Sequence, residues 1–287
     1  MDGGLLTMKA LLGILCLDRP KTTNECIVRL LGSDERDDLT IVVVDNGSNE
    51  ETQEMLRHHE KEVDLIIRHE WNVGCAFGVN TWMSLREEGQ TCIQVDLDML
   101  MYSPDWWTIS KIILQDEDVG VVAPRRSTAW IDRPDKRDFY RNHIRIEQRH
   151  DLWLEVPDNN LILTPMMIYK GNLLDTIGFE NEATGYDDLD FSYRVRAMGL
   201  KSMYIPYIFL RQSLIPEEEC HHPQRGAHRE LMTRTAPLHQ EMVNRYLQGK
   251  NLYCGTRFLP LTMTDSEYTR ASNLNWEFHR SWPDVIS

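Results

Sequence analysis

The sequence predicts a doubly wound α/β fold in which helices flank a mainly parallel sheet. The first half of the chain alternates short apolar runs with segments long enough for crossover helices. The runs are continuously apolar, as are strands buried on both faces of a parallel sheet. Polar side chains follow the ends of four runs, and ligands of such sheets bind beyond the carboxyl ends of the strands. These observations favour a ligand-binding α/β domain with right-handed crossovers.

The predicted elements follow one another as strand and helix. We expect strands at 9–17, 39–45, 63–69, 91–98 and 119–124, and helices at 22–31, 50–60, 74–88 and 104–115. The less regular second half predicts a strand at 161–170, a helix at 172–177, a loop at 178–185, a helix at 187–198 and a strand at 202–211. We expect one domain over residues 1–230, with one half at about 8–124 and a second at about 125–230, and a C-terminal extension at 231–287 packed on it.

The composition is that of a soluble globular protein. The chain has 287 residues, a formal net charge of −14, and 41% hydrophobic and 26% charged residues, which argues against disordered and fibrous classes. Its apolar runs are shorter than the ~20 residues of a membrane span, and the first residues lack the pattern of a secretion leader. Six scattered cysteines with no C-x-x-C pair indicate reduced thiols. We expect a cytoplasmic protein, soluble or peripheral.

Two carboxylates separated by one residue, Asp96 and Asp98, end the fourth predicted strand. Apolar residues on both sides predict that the two charges are buried, where unpaired carboxylates are costly. A divalent metal or a basic partner is therefore expected, and oxygen ligands favour magnesium or manganese together with substrate phosphates. The alternative is an ordinary surface turn.

A second acidic cluster, Asp187-Asp188-Leu189-Asp190, opens the helix predicted at 187–198. Acidic residues in a first helical turn can simply complement the helix dipole. Three carboxylates within four positions exceed that need. Because crowded like charges raise a pKa, one of them is a candidate general base.

The order of four motifs resembles the family 2 glycosyltransferases, which have the GT-A (Rossmann-like) fold and use nucleotide sugars. The matching text is VVVDNGS at 42–48, NVGCAFGVN at 72–80, DLD at 96–98 and GYDDLDFSYR at 185–194. The resemblance covers roughly residues 9–229. It implies a metal-dependent enzyme that moves a sugar from a nucleoside diphosphate sugar, most often a UDP-sugar, to an acceptor hydroxyl.

The resemblance also implies roles for particular residues. The implied donor nucleotide site consists of Asp18, Arg19, Asp45, Asn72, Gly74 and Asp96. The implied metal ligands are Asp98 and Asp96, with His221 or His222 standing where the family has a late histidine. The text Cys16-Leu17-Asp18-Arg19 departs from the Thr-x-Asn-Arg-like text that the family more often shows.

Asp188 matches the family's catalytic base, and Asp187 stands where the family more often has Glu. In an inverting transfer, one base deprotonates the acceptor hydroxyl while the diphosphate leaves. Since Asp187 is one methylene shorter than Glu, either carboxylate of the pair is a candidate for reaching the acceptor.

The resemblance implies that about 8–124 is the nucleotide-binding half and about 125–230 the acceptor-side half. A basic segment at 125–150 has eight Lys or Arg against four Asp or Glu and is a candidate for contacting the acceptor. Arg side chains bind phosphates bidentately, so Arg137, Arg141 and Arg145 are candidates for contacting an anionic acceptor, and Trp107 is a candidate for stacking on a sugar. A surface polysaccharide, a lipid-linked sugar and modified phage DNA all fit, whereas an ordinary solvated surface is the alternative.

Two other functions fit parts of the pattern. A nucleotidyltransferase also uses paired carboxylates on an α/β sheet, but it needs a glycine-rich loop after the first strand, and 17–23 has no glycine. A catalytically inactive nucleotide-sugar-binding protein is disfavoured because both acidic motifs are intact.

Overall fold

The computed structural model describes residues 9–125, 144–162, 165–213, 215, 218, 224–259 and 266–281. The strands are β1 (Ala10–Cys16), β2 (Leu39–Asp45), β3 (Leu65–Arg68), β4 (Cys92–Asp96), β5 (Met99–Met101), β6 (Val119–Pro124), β7 (Ile144–Arg149), β8 (Leu152–Pro157), β9 (Met166–Tyr169), β10 (Lys201–Ile205) and β11 (Leu210–Gln212). The helices are α1 (Pro20–Leu31), α2 (Glu50–His59), α3 (Cys75–Met83), α4 (Trp106–Leu114), α5 (Gly171–Ile177), α6 (Asp187–Ala197), α7 (Gln224–Tyr246) and α8 (Ser266–Ser281).

A nine-stranded sheet in the order β3-β2-β1-β4-β9-β6-β10-β8-β7 forms the centre of the described structure, and β5 pairs with β11 in a separate ladder. Within this sheet, only β8 and β9 run against the common direction of the other strands. The predicted α/β fold with a mainly parallel sheet is thereby confirmed.

Apolar side chains fill both faces of the sheet, which explains the continuous apolar runs. Leu12 and Ile14 of β1 belong to the core on one face, which includes Ile27 of α1. Leu11 belongs to the core on the other face, which includes Trp82 of α3. Gly13 lies directly under the Trp82 ring, so a Cβ at this position would collide with the indole.

Local sequence signals set the beginnings of the helices on the first face. Helix α1 begins with Pro20. Proline lacks a backbone N–H, but the first N–H groups of a helix have no partner within the helix, so no hydrogen bond is lost there. Helix α2 is capped by Asn49, whose side chain accepts a hydrogen bond of 2.9 Å from the Thr52 amide. Both helices therefore begin directly after a strand end of the predicted ligand edge.

Several predicted boundaries change in the structure. The strand predicted at 91–98 divides into β4 and β5, because the chain turns at 97–98 and β5 pairs with β11 instead of joining the sheet. The strand predicted at 161–170 shortens to β9, and the strand predicted at 202–211 divides into β10 and β11. The hairpin of β7 and β8 lies in and after the basic segment, where no strand was predicted.

The C-terminal helices pack on the main domain through a third apolar cluster, which joins Met242 and Tyr246 of α7 and Tyr268 of α8 to Ala183. Helix α7 runs without interruption across 230/231, where the sequence analysis placed a boundary. Among the described helices, none combines the length and apolar character needed to cross a membrane.

Candidate active site

The carboxyl ends of β1, β2 and β4 lie side by side at one edge of the sheet. The register places Cys16 of β1 beside Asp45 of β2, and Leu15 of β1 beside Asp96 of β4. The strand ends that carry the donor motifs therefore meet in one crevice, with the loop that contains Asp18 between them.

Asp45 organises the turn that follows β2. It is fully buried, and its carboxylate accepts hydrogen bonds from the Ser48 amide at 2.8 Å and from Arg68 Nε at 2.9 Å. In this structure both carboxylate oxygens of Asp45 already accept from protein donors. The contact with the nucleotide base or ribose that the family resemblance implies for Asp45 stays a prediction.

Asp18 joins the β1 loop to the same turn. Its amide donates to Ser48 Oγ at 2.9 Å, and its carboxylate accepts from the Asn49 amide at 2.8 Å. Asp18 and Arg19 have φ values of 53° and 58°, a left-handed conformation that costs roughly 1–2 kcal/mol per residue. The bonds to Ser48 and Asn49 stabilise this strained loop.

The segment after β3 is held by amide side chains. Asn72 Oδ1 accepts from Asn46 Nδ2 and from the Gly74 amide, both at 2.8 Å, and the Val73 amide donates to Asn46 Oδ1 at 3.0 Å. Gly74 has φ 92° and ψ 170°, a combination essentially restricted to glycine. A Cβ on Gly74 would also collide with the ring of His279.

Helix α8 covers this donor-side segment. Trp276 lies edge-on to Trp71 and Phe77, with ring centroids 4.8 and 5.1 Å apart, and the Arg257 guanidinium lies 3.8 Å from its ring centroid. Burial, the largest cause, together with nearby cationic side chains lowers the pKa of His279 to about 4. The C-terminal region therefore supplies a wall of the candidate site that the sequence did not indicate.

The structure corrects the predicted burial of the D-x-D carboxylates. Asp96 is exposed, because β4 ends there and Val95 is the last residue paired with β9. Asp98 retains 14% side-chain exposure, and its Oδ2 faces Gln212 Nε2 at 2.9 Å and Arg19 Nη1 at 3.4 Å. The basic partner allowed by the sequence is therefore present at Asp98.

The same carboxylates fit a divalent cation that shares substrate phosphates. Magnesium-type sites often take only one or two protein carboxylates, and the Arg19 contact is longer than the ~2.7–2.9 Å of a strong charge-assisted hydrogen bond. The described part of the chain has no group of three or more His, Cys, Asp or Glu arranged for a metal. His221 and His222 lie outside the described residues.

Asp187 and Asp188 open α6 and are both partly exposed. Asp187 makes a side-chain hydrogen bond with Cys75 at the start of α3. Burial of the carboxyl group raises the pKa of Asp187, and nearby His228 has a smaller effect that lowers it. The structure thus places Asp187 against the first residue of the helix that begins directly after Gly74.

Asp190, the third carboxylate of this motif, has a structural role. It is fully buried, and its Oδ1 accepts from the equally buried Arg194 Nε at 2.9 Å. Arg194 also donates to the carbonyl oxygens of Ile177 and Phe179, each at 2.7 Å. Burial opposes ionisation of Asp190, but Arg194 and two hydrogen-bonding side chains outweigh it and lower the pKa of Asp190.

The loop that leads into α6 contains two further buried carboxyl groups. Glu182 accepts from Thr256 Oγ1 at 2.5 Å, Ser272 Oγ at 2.9 Å and Asn80 Nδ2 at 3.0 Å. Glu180, by contrast, has one oxygen near Tyr169 and one buried oxygen with no hydrogen-bond partner. Glu182 therefore ties the loop to the C-terminal region, whereas Glu180 has no such set of donors.

The two described acceptor candidates, Trp107 and Arg145, lie away from these strand ends. The assignment of Trp107 is corrected, because its side chain is only 4% exposed and packs in the core. Arg145 pairs with Asp158 at 3.0 Å and lies on the edge strand β7, five strands from β4 or about 24 Å at ~4.8 Å per strand. Arg137 and Arg141 lie outside the described residues.

The family model for Glycosyl transferase family 2 matches residues 12–168, more than half of the chain. The chain belongs to glycosyl transferase family 2. The family match shows that the chain is a glycosyltransferase. A search of curated proteins finds no match.

Solved GT-A glycosyltransferases share the fold of this family 2 enzyme. The mannosyltransferase PcManGT from Pyrobaculum calidifontis, in complex with GDP-Man and Mn2+, is 16% identical with a TM-score of 0.59, covering 96% of this chain and 76% of its own. S. aureus TarS 1-349 is 15% identical with a TM-score of 0.58, covering 96% and 73%. GalNAc-T7, solved with UDP, GalNAc and Mn2+, is 12% identical with a TM-score of 0.60, covering 93% and 54%.

Sequence reasoning missed residues that are far apart in the sequence but meet in the structure. His228, His279 and Asp187 line one small cavity together with Cys75, although they come from three different helices. No spacing in the sequence indicates that contact. The i,i+4 spacing of Asp190 and Arg194 was a local signal for their ion pair.

Proposed function

We propose that this glycosyltransferase transfers a sugar from a nucleoside diphosphate sugar, a UDP-sugar first among the candidates, to an acceptor hydroxyl with inversion at the anomeric carbon. The observation that carries the proposal is the juxtaposition of the D-x-D strand end with the acidic opening of α6. Cys75 at the start of α3 connects them, since its thiol hydrogen-bonds Asp187 and lies near enough to Asp96 for the charge of that carboxylate to raise the pKa of the thiol. The structures of PcManGT with GDP-Man and of TarS with UDP-GlcNAc support a nucleotide-sugar donor.

In this proposal the residues of the chain have separate tasks. Asp18, Asp45 and Asn72 shape the pocket for the nucleotide, and Asp188 removes the proton from the acceptor hydroxyl, with Asp187 beside it. General bases of this kind contribute about 10²–10⁴-fold to the rate. A divalent cation, Mn2+ or Mg2+, held by Asp98 and Asp96 would neutralise charge on the leaving diphosphate.

The acceptor remains a hydroxyl on a glycan, a lipid-linked sugar or modified DNA. The described arginines of the basic segment all have acidic partners: Arg125 pairs with Glu155 at 3.1 Å, Arg145 with Asp158, and Arg149 with Asp118 at 2.8 Å. Paired guanidinium groups are less available to phosphates, so these pairs favour a neutral glycan over a polyanion among the three classes.

The proposal is tested by thermal unfolding with a panel of nucleotide sugars, each with MnCl2 and with a chelator. A ligand that binds the folded state raises the midpoint by mass action, so one nucleotide sugar should stabilise the protein in MnCl2 and much less in chelator. The same donor should be hydrolysed slowly without acceptor. Stabilisation by no nucleotide sugar, or equal stabilisation with chelator, would contradict donor binding or metal dependence respectively.

A further inference from the structure

Glu180 lies in the loop between α5 and α6 with a side chain that is 1% exposed. Its backbone is fixed on both sides by Asn80 of α3: the Glu180 amide donates to Asn80 Oδ1 at 2.9 Å, and Asn80 Nδ2 donates to the Glu180 carbonyl at 3.0 Å. The carboxyl group is therefore held in place seven residues before Asp187, where water cannot reach it freely.

The hydrogen bonds around Tyr169 indicate which group carries a proton. Tyr169 Oη lies 2.8 Å from Gln94 Oε1 and 3.1 Å from Glu180 Oε1, and it also lies 3.6 Å from the Met167 sulfur. A tyrosine hydroxyl has one proton to donate. If that proton goes to Gln94 at the shorter distance, the contact with Glu180 is a hydrogen bond only when Glu180 is protonated and donates to Tyr169 Oη.

Burial and the nearby carboxylates Asp187 and Asp188 disfavour the ionised form of Glu180, and together they outweigh the opposite influence of Arg194 and Tyr169. Glu180 Oε2 has no hydrogen-bond partner, and the Arg194 guanidinium is already bonded to Asp190 and to two backbone carbonyls. The titratable and charged groups with an electrostatic contribution at Glu180 are Tyr169, Asp187, Asp188, Arg194, Cys75 and Cys254. Burial, followed by Asp187, raises the pKa of Glu180 to about 8.

We propose that Glu180 is a positioning residue that acts as a neutral carboxylic acid: it donates a hydrogen bond to Tyr169 Oη and thereby holds the loop that presents Asp187 and Asp188. Because it carries no charge near neutral pH, it adds no third negative charge beside this pair. When Glu180 ionises, Tyr169 has to turn its only proton from Gln94 to Glu180, so the bond to Gln94 is lost and a buried charge is left at Glu180 Oε2, which has no hydrogen-bond partner. The positioning part rests on the proposed function, whereas the protonation does not.

The protonation is tested by infrared spectroscopy of the wild-type protein and Glu180→Gln. The carbonyl stretch of a protonated carboxylic acid should be present in the wild type at pH 7, absent in Glu180→Gln, and lost from the wild type as the pH rises through about 8. Absence of any difference band at pH 7 would overturn the proposal, whatever the enzyme turns out to transfer.

Unfolding midpoints give an independent measure. Glu180 has a pKa raised from 4.5 to about 8 in the folded state, so the folded state binds more protons between these values and the wild type loses stability as the pH rises from 5 to 8. Glu180→Gln lacks this loss, and its midpoint relative to the wild type should rise over that range. A constant difference from pH 5 to 8 would contradict a neutral Glu180.

Donor hydrolysis then tests the positioning. Glu180→Gln can donate from its amide to Tyr169, so it should keep a rate within about threefold of the wild type at pH 7 and should not share the wild-type decline above pH 8. Glu180→Ala should be at least tenfold slower at pH 7. Equal rates and identical pH profiles for the three proteins would overturn the positioning role, and failure of every donor would contradict the proposed function without affecting the infrared result.

Glu182→Gln provides a matched control within the same loop. The oxygens of Glu182 accept from Thr256, Ser272 and Asn80, so an amide nitrogen there would face other donors and the variant should lose stability at all pH values. Similar behaviour of the two Glu→Gln variants would show that burial alone, without the proton on Glu180, explains the results.

Discussion

Two regions of this glycosyltransferase are built in different ways: the strand-end turns of the proposed donor side, and the loop at 178–186 before α6, here named the catalytic loop after its proposed role. On the donor side, each carboxylate or amide bonds to a residue at a neighbouring strand end: Asp18 to Asn49, Asp45 to Arg68 and Asn72 to Asn46. In the catalytic loop, Glu182 takes its partners from Asn80 and from residues 74 and 90 positions later in the chain. The sheet topology thus creates the donor side, whereas long-range tertiary contacts hold the catalytic loop.

Breaking the buried ion pair of α6, whose Arg194 bonds the backbone at the start of the catalytic loop, should have the largest effect on stability. Asp190→Ala leaves Arg194 buried without its carboxylate, and removing one partner of such a pair typically costs about 3–5 kcal/mol. Urea unfolding measures the loss. Arg57→Ala is the control, because its pair with Glu54 is exposed and no measurable change is expected. A loss below ~1 kcal/mol for Asp190→Ala would contradict a structural role for this pair.

On the donor side, Asp98→Ala should leave the fold intact and remove metal-dependent binding. Asp98 is partly exposed and its partners Arg19 and Gln212 reach solvent, so the unfolding midpoint should change little. The affinity for the nucleotide sugar in MnCl2 should fall about 100-fold, or about 2.7 kcal/mol, as titration calorimetry would show. Unchanged affinity would remove Asp98 from the metal site.

Gly74→Ala tests the contact between the donor side and helix α8. Its backbone conformation is essentially restricted to glycine and its Cβ would meet His279, so we expect a loss of about 2 kcal/mol together with weaker donor binding. Gly89→Ala is the control, since Gly89 has φ 72° but open space around it. Equal donor affinities for the two variants would mean that α8 has no influence on the donor side.

The smallest effect is expected at the sheet edge. Arg145→Glu should change the KM for the acceptor by less than about twofold, because Arg145 is already paired with Asp158 and exposed pairs contribute little. Steady-state kinetics at two salt concentrations measure the effect. A large, salt-sensitive rise in the KM for the acceptor would instead favour an anionic acceptor that Arg145 contacts.

Sequence reasoning found the parts of this enzyme that local patterns determine. Continuous apolar runs predicted β1, β2 and β4. The polar motifs at the ends of these strands predicted that their side chains lie close together at one edge of the sheet, as they do. The exposure of Asp96 and the burial of Trp107 depend on where the chain turns and packs, which spacing does not reveal. The contact of His279 with Gly74 spans 205 positions, so no local signal exists for it.

The most direct test compares Asp188→Asn with Asp187→Asn. Both substitutions keep the shape of the side chain and remove the carboxylate as a proton acceptor. Single-turnover transfer and donor affinity should be measured for each variant. We predict that Asp188→Asn slows the chemical step by about 10²–10⁴-fold with unchanged donor affinity, and that Asp187→Asn is the milder change. A larger loss in Asp187→Asn would reverse the assignment within the pair, and full activity in both variants would contradict an inverting transfer that uses this acidic motif.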